Sequence, residues 1–336
     1  MDDASAHDDE RGPVVTCRVP ARVGLVGNPS DGFGGAVLAT VVPGLAATVR
    51  ARPAAGVLLG PAPVERSSAQ PMSAAAWWDH AAAHGHGDEQ RIIGAALWTV
   101  MRHLGVRHGI DLRWSTTVPR SVGLAGSSAL AVATIDAACG VWGVALDRRV
   151  VAALALAAEV DVLGIAAGWQ DRIVQAFDAT VLVDTASMAS IDGVDVPAVE
   201  VVRPGAPIRL VVGWSEQTAS PSDGYHAALR TSPHRLAAAM RDLAALAHAA
   251  ADSVRTGDRD ALAAAVDAGW RTRQAAAPLR VDHAALVDAV RAVGVGATTP
   301  GSGGSVVAVP LDDDDERRVF DALRAGGIPA YVVTVE

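Results

Sequence analysis

The 336-residue sequence contains no lysine, so all of its 28 basic residues are arginines. The common phosphate loop of nucleotide-binding proteins needs a lysine to reach the β- and γ-phosphates, and Schiff-base enzymes need a lysine amine. Both chemistries are therefore excluded. Cysteine is scarce, and Cys17 and Cys139 are too far apart in sequence to suggest a metal-ligand motif or a disulfide framework. We expect a reducing, cytoplasmic environment.

Long hydrophobic runs and basic patches are also missing. No uncharged apolar stretch reaches the ~20 residues that a membrane helix needs, and the acidic N-terminus is unlike a targeting signal. The formal net charge is −9, and aromatic residues make up only 4% of the chain. An acidic chain without basic–aromatic clusters is a poor binder of nucleic acid. We therefore expect a soluble protein that binds neither nucleic acid nor a membrane.

The length predicts about two domains. We expect a disordered acidic tail at 1–17, a first domain at 18–200 and a second at 201–336, with a Pro- and Gly-rich linker near 192–207. Hydrophobic periodicity and turn residues place the individual elements. The predicted strands are 19–26, 37–42, 46–49, 56–59, 109–117, 179–184, 208–214, 305–309 and 328–335, and the predicted helices are 74–83, 89–104, 128–144, 147–163, 234–253, 258–276, 282–293 and 313–325.

Residues 119–135 combine a Gly-rich turn, a Ser127–Ser128 pair and an apolar run of small residues that favours a helix. Gly123 and Gly126 allow the backbone to approach a ligand closely. The free N–H groups at a helix N-terminus, preceded by such a turn, bind anions, most often phosphate. The alternative interpretation is an ordinary capped helix start.

Three other segments carry candidate functional groups. A glycine-rich loop at 27–35 offers polar groups to a hydroxylated ligand, although turn chemistry alone could explain it. Asp171 follows a Gly-rich bend and is either a helix cap or a positioned carboxylate, with Arg172 interpreted as a solvated neighbour. Glu159 lies in an apolar helix, where a buried acid needs a cation or a donor. A third glycine-rich loop begins at Thr299.

In order and content, these segments resemble the motifs of the GHMP kinase superfamily (galactokinase, homoserine kinase, mevalonate kinase and phosphomevalonate kinase). Residues 22–35 resemble motif one, 119–129 the phosphate loop of motif two, and 299–309 motif three. Residues 164–177 resemble the segment with the catalytic aspartate. The glucuronokinase branch is the most similar, because it shares the longer phosphate loop Gly-Leu-Ala-Gly-Ser-Ser.

The resemblance implies an α+β fold of two domains with the active site in the cleft between them. The N-terminal ATP-binding domain would be ribosomal-protein-S5-like, and the C-terminal domain ferredoxin-like. The implied activity is ATP- and Mg²⁺-dependent phosphorylation of a small sugar, at the anomeric hydroxyl of a uronic acid or a related sugar. The alternatives are mevalonate, homoserine or a heptose phosphate as acceptor, or a non-catalytic sensor of ATP and sugar. A monomer or homodimer is expected.

The resemblance also implies residue roles. Asp171 would accept or orient the proton of the acceptor hydroxyl, and Arg22 would be the cation at the transferring phosphoryl group. Arg120 or Arg230 could meet a uronate carboxylate. The implied ATP-binding residues are Pro119, Gly123, Leu124, Ala125, Gly126, Ser127, Ser128 and Ala129; the implied substrate-binding residues are Asn28, Ser30, Asp31, Gly35, Gly301, Ser302, Gly303 and Gly304; the implied metal ligands are Ser127, Ser128 and Glu159.

Overall fold

A large, mainly antiparallel sheet organises the first part of the chain in a computed structural model, which describes residues 13–62, 72–84, 91–219, 229 and 233–336. The strand order is β4-β3-β5-β2-β6-β7, with β1 also paired to β2. Only β3 and β5 are parallel among these pairs. The strands are β1 (Val15–Val26), β2 (Ala36–Pro53), β3 (Gly56–Pro61), β4 (Met72–Ser73), β5 (Ile110–Thr116), β6 (Val181–Ile191) and β7 (Val194–Val201).

Helix α3 (Gly126–Trp142) is central to the helical layer on this sheet. It contacts β1 and β2 on one side and the helices α2, α4 and α5 on the others. Half of its buried residues are alanines, which allow a helix to approach its neighbours closely. The layer consists of α1 (Ala74–His84), α2 (Arg91–Leu104), α3, α4 (Arg148–Ala157) and α5 (Gln170–Phe177).

A second, antiparallel sheet of order β11-β8-β10-β9 forms from the rest of the chain. Its strands are β8 (Ile208–Trp214), β9 (Gly296–Thr298), β10 (Ser305–Val309) and β11 (Ala330–Val335). The accompanying helices are α6 (Pro233–Thr256), α7 (Arg259–Ala276), α8 (Val281–Arg291) and α9 (Asp313–Ala325). None of the helices that the structure describes is long and apolar enough to cross a bilayer.

The two sheets share one hydrophobic cluster. Val23 of β1 and Leu38 of β2 pack in it with Leu210 of β8, Ala250 of α6 and Val307 of β10. This shared core fixes the end of β1 against the loop that precedes β10, so that glycine-rich loops from both halves of the chain meet. Each sheet is built from one side of residues 202–207. We therefore retain the division at 200/201 as our proposed domain boundary.

The predicted division of β2 into two strands is wrong. The two strands predicted at 37–42 and 46–49 are one strand, because the pairing with β1 shifts register between Pro20 and Ala21 and leaves 43–45 as a bulge. Proline is tolerated there because a bulged residue need not donate to the ladder. The tail prediction also extended too far, since Val15 already pairs with Ala51; residues 1–12 lie outside the described residues.

Two further boundaries need correction. The predicted linker at 192–207 is largely strand β7, which turns back at Asp192 and Gly193 to pair with β6. Both turn residues have positive φ values, of 51° and 76°, as a tight hairpin requires. The helix predicted at 147–163 is α-helical only as far as Ala157, where α4 ends. A wider π-helical turn, Ala158–Val162, follows it. Such turns often occur at functional sites.

Most other elements lie within a few residues of their predicted positions, but β6 continues to Ile191 instead of ending at 184, and the short strands β4 and β9 were not predicted. The first acidic residue before α9 caps this helix, because Asp312 accepts a hydrogen bond from the Asp315 N–H at 2.8 Å. The beginning of the helix predicted at 89–104 lies outside the described residues, which resume with α2 at Arg91.

We predict that Leu97→Ala lowers the free energy of unfolding by about 2–5 kcal/mol, because it empties a fully buried site between α2 and the sheet. Urea denaturation followed by circular dichroism measures the change. Val281→Ala is the matched control, because its side chain is 86% exposed and should change stability by less than about 0.5 kcal/mol. Equal effects from the two variants would contradict the assignment of Leu97 to the core.

Candidate active site

Arg22, in the middle of β1, joins three of the segments singled out by the sequence. Its side chain is almost fully buried, and Nε donates to Asp171 Oδ1 at 2.6 Å. Nη1 donates to two backbone carbonyls, Gly123 O at 2.7 Å and Pro300 O at 3.0 Å. The arginine predicted to meet the transferring phosphoryl group therefore lies where the phosphate loop, the Asp171 helix and the third glycine-rich loop converge.

Asp171 lies in the first turn of α5, but it does not cap that helix. The helix has no side-chain cap hydrogen bond, and the carboxylate instead forms an ion pair with Arg22. Its other oxygen is 3.5 Å from Nη1 of Arg172. The Asp171 side chain is 20% exposed, so a ligand can reach a carboxylate that is held between two guanidinium groups.

The turn before α3 leaves the first N–H groups of this helix without a side-chain cap. Ala125 adopts a left-handed conformation (φ 62°, ψ 41°), and α3 has no side-chain cap. This conformation costs a non-glycine residue roughly 1–2 kcal/mol, and such strain is concentrated at functional sites. Gln175 holds the turn through a 2.9 Å hydrogen bond from Nε2 to Ala125 O.

The predicted phosphate-loop residues differ in exposure. Ser127 is exposed, whereas Ser128 is 1% exposed and its hydroxyl has no hydrogen-bond partner among the described residues. An unpartnered buried hydroxyl at a helix N-terminus is suited to a bound phosphate. The other predicted residues divide into partly exposed positions (Pro119, Gly123, Ala125 and Gly126) and buried positions (Leu124 and Ala129). Leu124 contributes its carbonyl, which accepts from Arg22 N at 3.3 Å.

The third glycine-rich loop packs its backbone directly on the phosphate loop. A Cβ added to Gly123, which has φ +78°, would lie 2.6 Å from Gly303 O, and one added to Gly301 would lie 2.6 Å from Gly123 O. Glycine is required on both sides of this contact because any side chain would separate the loops. Gly301, Gly303 and Gly304 are buried, and Ser302 is partly exposed.

The loop after β1 brings Asp31 to the same site. Asp31 Oδ2 accepts from the backbone N–H of Gln170 at 2.9 Å, and Gly168 packs so closely that a Cβ there would lie 2.6 Å from this oxygen. Asn28 contributes a buried Oδ1 with no hydrogen-bond partner among the described residues. Ser30 is fully buried and donates to Ala36 O at 2.7 Å, so its hydroxyl closes the loop, against which Gly35 packs.

Burial raises the pKa of the Asp31 carboxyl, and the nearby Asp171 acts in the same direction, although the hydrogen bond from Gln170 opposes both. The desolvation of a buried carboxylate disfavours its charged form. The charged Asp31 therefore lowers the stability of the folded protein, as is typical of a residue that serves binding.

Among the predicted metal ligands, Glu159 is already paired with an arginine. Glu159 is 1% exposed, and its carboxylate forms an ion pair with Nη2 of Arg172. The turn that carries Glu159 packs against α2 and α4. Within the described residues, no group of three or more His, Cys, Asp or Glu side chains is arranged to hold a metal ion. Ser128 fits a ligand at the phosphate loop, whereas the Glu159 carboxylate is buried and neutralised by Arg172, which does not fit a ligand of Mg²⁺.

Several residues that build the site were missed from the sequence. Arg172 is 4% exposed rather than solvated. Arg273 of α7 is also buried and donates from Nη2 to Gly301 O at 2.7 Å. Gln170 donates from Nε2 to Pro300 O at 3.4 Å. Arg273 and Gln170 bond to backbone carbonyls that are distant in sequence, and Arg172 pairs with Glu159 of a separate turn. No local spacing signals such contacts.

Comparisons with known proteins bear on the family resemblance and on the fold. Residues 91–178 match the family model described as "GHMP kinases N terminal domain". Glucuronokinase 1 of Arabidopsis thaliana is 27% identical over 186 residues, covering 53% of this chain but only about half (51%) of that protein. Probable glucuronokinase 2 of the same plant is 25% identical over 309 residues, 85% of this chain and 82% of its own.

A solved structure, the Streptococcus pneumoniae phosphomevalonate kinase in complex with phosphomevalonate and AMPPNP, has a TM-score of 0.77 at 13% identity. The match covers 96% of this chain and 100% of that one. The predicted resemblance to the GHMP kinase superfamily is thereby confirmed, as is the two-domain α+β fold of these kinases. The curated relatives and the solved structure are all similar to this chain in fold or sequence, and all are named as small-molecule kinases.

We predict that Asp31→Asn stabilises the fold at pH 7 by about 1 kcal/mol, because asparagine can still accept from Gln170 without a buried charge. The pKa of Asp31 is raised in the folded state, so the folded wild type takes up a proton before the unfolded chain does as the pH falls. The wild type therefore gains stability relative to the variant, and the difference shrinks from pH 7 to pH 4.

Urea unfolding of both proteins across this pH range measures the difference. Asp195→Asn, at an exposed position of β7, is the control and should show no such dependence. A variant that is less stable than the wild type at pH 7 would contradict the account of Asp31.

Proposed function

We propose that this protein transfers the γ-phosphoryl group of ATP to a hydroxyl of a small sugar. The observation that carries the proposal is the Arg22–Asp171 pair, which is set beside the uncapped N-terminus of α3. Phosphoryl transfer depends mainly on positioning and on neutralising charge in the in-line transition state. A donor-rich loop, a buried cation and an adjacent carboxylate are the groups that this chemistry needs.

The phosphates of ATP are proposed to bind at the start of α3. The backbone N–H groups of 123–128 and the hydroxyls of Ser127 and Ser128 face this position, and the helix dipole favours the negative charge. ATP would arrive as its Mg²⁺ complex, so the metal is part of the substrate. Gly301, Ser302, Gly303 and Gly304 would close over the phosphates from the other side.

The acceptor hydroxyl is proposed to bind between Asp171 and Arg22. Its oxygen attacks the γ-phosphorus, the bond to the β-phosphate oxygen breaks, and ADP leaves. Asp171 accepts the hydroxyl proton directly or orients the hydroxyl while the proton passes to solvent. Arg22 stabilises the charge on the transferring group, in place of the lysine that this chain lacks.

Sugar as the acceptor class is supported by the polar groups beside Asp171. Asp31 and Asn28 present oxygens that can accept from hydroxyls. The two glucuronokinases among the relatives favour a uronic acid phosphorylated at its anomeric hydroxyl. Arg120 lies exposed on the loop before α3 and could meet a uronate carboxylate; Arg230 lies outside the described residues. We propose a cytoplasmic enzyme that acts as a monomer or homodimer.

The second candidate keeps the chemistry and changes the acceptor to mevalonate, homoserine or a heptose phosphate. The fold shared with a phosphomevalonate kinase supports an acceptor that is not a sugar. A panel of these acceptors with glucuronate and galactose in a coupled ADP-release assay separates the candidates. We expect glucuronate to give the highest kcat/KM. A preference for mevalonate or homoserine would contradict the sugar assignment, and binding of ATP without any turnover would favour a sensor.

We predict that Asp171→Asn lowers kcat by about 100-fold or more, the range expected for a group that takes or orients a reacting proton. Binding of ATP, measured by isothermal titration calorimetry, should change little, because Asp171 is proposed to contact the acceptor. Asp161→Asn, an exposed position ten residues earlier, is the control and should retain full activity. An unchanged kcat for Asp171→Asn would remove this residue from the mechanism.

A further inference from the structure

The buried charges beside Asp171 form a chain that the sequence did not reveal. Glu159 pairs with Nη2 of Arg172. Nη1 of Arg172 donates to Gly168 O at 2.9 Å and lies 3.5 Å from Asp171 Oδ2. Asp171 in turn bonds to Arg22. Four charged side chains from three elements thus form one continuous row of contacts, and three of them are at least 95% buried.

Arg172 therefore acts on both sides of the candidate acceptor site. Through Asp171 it fixes the orientation of the carboxylate proposed to receive the acceptor hydroxyl. Through Gly168 O it holds the turn that packs against Asp31. A single side chain thus couples the two carboxylates that would bind the substrate, and a guanidinium is suited to this because its donors point in fixed directions.

Glu159 supplies the charge that keeps Arg172 in place. Burial and the nearby Arg22 lower the pKa of Arg172 to about 9. Two buried guanidinium groups on either side of Asp171 repel each other, and a buried cation without a counter-ion is strongly disfavoured. The carboxylate of Glu159 provides this counter-ion at Nη2, whereas Asp171 lies beside Nη1.

We propose that Glu159 is not a metal ligand in this protein and that Glu159 and Arg172 form a positioning pair that orients Asp171 and the Gly168 turn. The expected loss of kcat rests on the proposed kinase activity. The expected unchanged binding of the metal–nucleotide complex does not require that the protein turns over an acceptor. Arg172 and Glu159 act through Asp171 and touch neither ATP nor its metal ion. Loss of the pair should therefore reduce kcat without changing how the metal–nucleotide complex binds.

The test compares Glu159→Gln, Arg172→Met and the double variant with the wild-type protein. Each single variant should lower kcat by 10-fold or more, while the affinity for Mn²⁺ in the presence of AMPPNP, measured by electron paramagnetic resonance, stays within twofold. The double variant should be no slower than the slower single variant, because both changes break one pair. It should also melt at a higher temperature than Arg172→Met, which leaves Glu159 buried and unpaired.

Glu200→Gln is the matched control, because it breaks an exposed Glu–Arg pair with Arg255 and should change none of these readouts. A Glu159→Gln variant that binds Mn²⁺ at least 10-fold more weakly, with kcat restored by excess Mg²⁺, would overturn the proposal and make Glu159 a metal ligand. Multiplicative losses of kcat in the double variant would also overturn it. The Mn²⁺ and melting measurements need no acceptor, so they remain decisive if the kinase assignment fails.

Discussion

The site depends on one buried guanidinium group, that of Arg22. It holds the carboxylate of Asp171 on α5 and the carbonyls of Gly123 and Pro300, which belong to loops about 180 residues apart. Removing one partner of a buried ion pair commonly costs about 3–5 kcal/mol, so the convergence of these segments is energetically coupled to this one residue. The close contact between Gly123 and the third glycine-rich loop follows from this role of Arg22, because the two loops must approach closely enough for both carbonyls to reach the same side chain.

This arrangement explains how a phosphate site can be built without lysine. A lysine ammonium is a compact charge, whereas a guanidinium presents a planar fork of donors. Arg22 uses that fork to bond a carboxylate and two carbonyls in fixed directions. The same residue can thus hold the site together and provide positive charge at the proposed phosphoryl position. Arg172 and Arg273 are likewise buried arginines that donate hydrogen bonds to backbone carbonyls. In this chain, which has no lysine, buried arginines therefore hold the loops of the site in position through bonds from side chain to backbone.

The elements were largely predictable from sequence because local signals determine them. The glycine turn before Ser127 and Ser128 indicated the start of α3, and helical periodicity located α9. Asp171 and Arg22 were recognisable through a family resemblance. The roles of Arg172 and Glu159 were not, because their pairing joins a π-helical turn to a separate helix. The predicted linker failed because Pro197 and Gly193, which suggested irregular structure, are accommodated in an edge strand and its hairpin turn.

We propose that Arg22 and Asp171 define the point of phosphoryl transfer. A crystal structure with AMPPNP, Mg²⁺ and glucuronate would show where both substrates bind. We expect the phosphates at the N-terminus of α3 and an acceptor hydroxyl within about 2.6–3.2 Å of the Asp171 carboxylate, the distance of a catalytic hydrogen bond. A γ-phosphate or sugar bound away from Arg22 and Asp171 would contradict it.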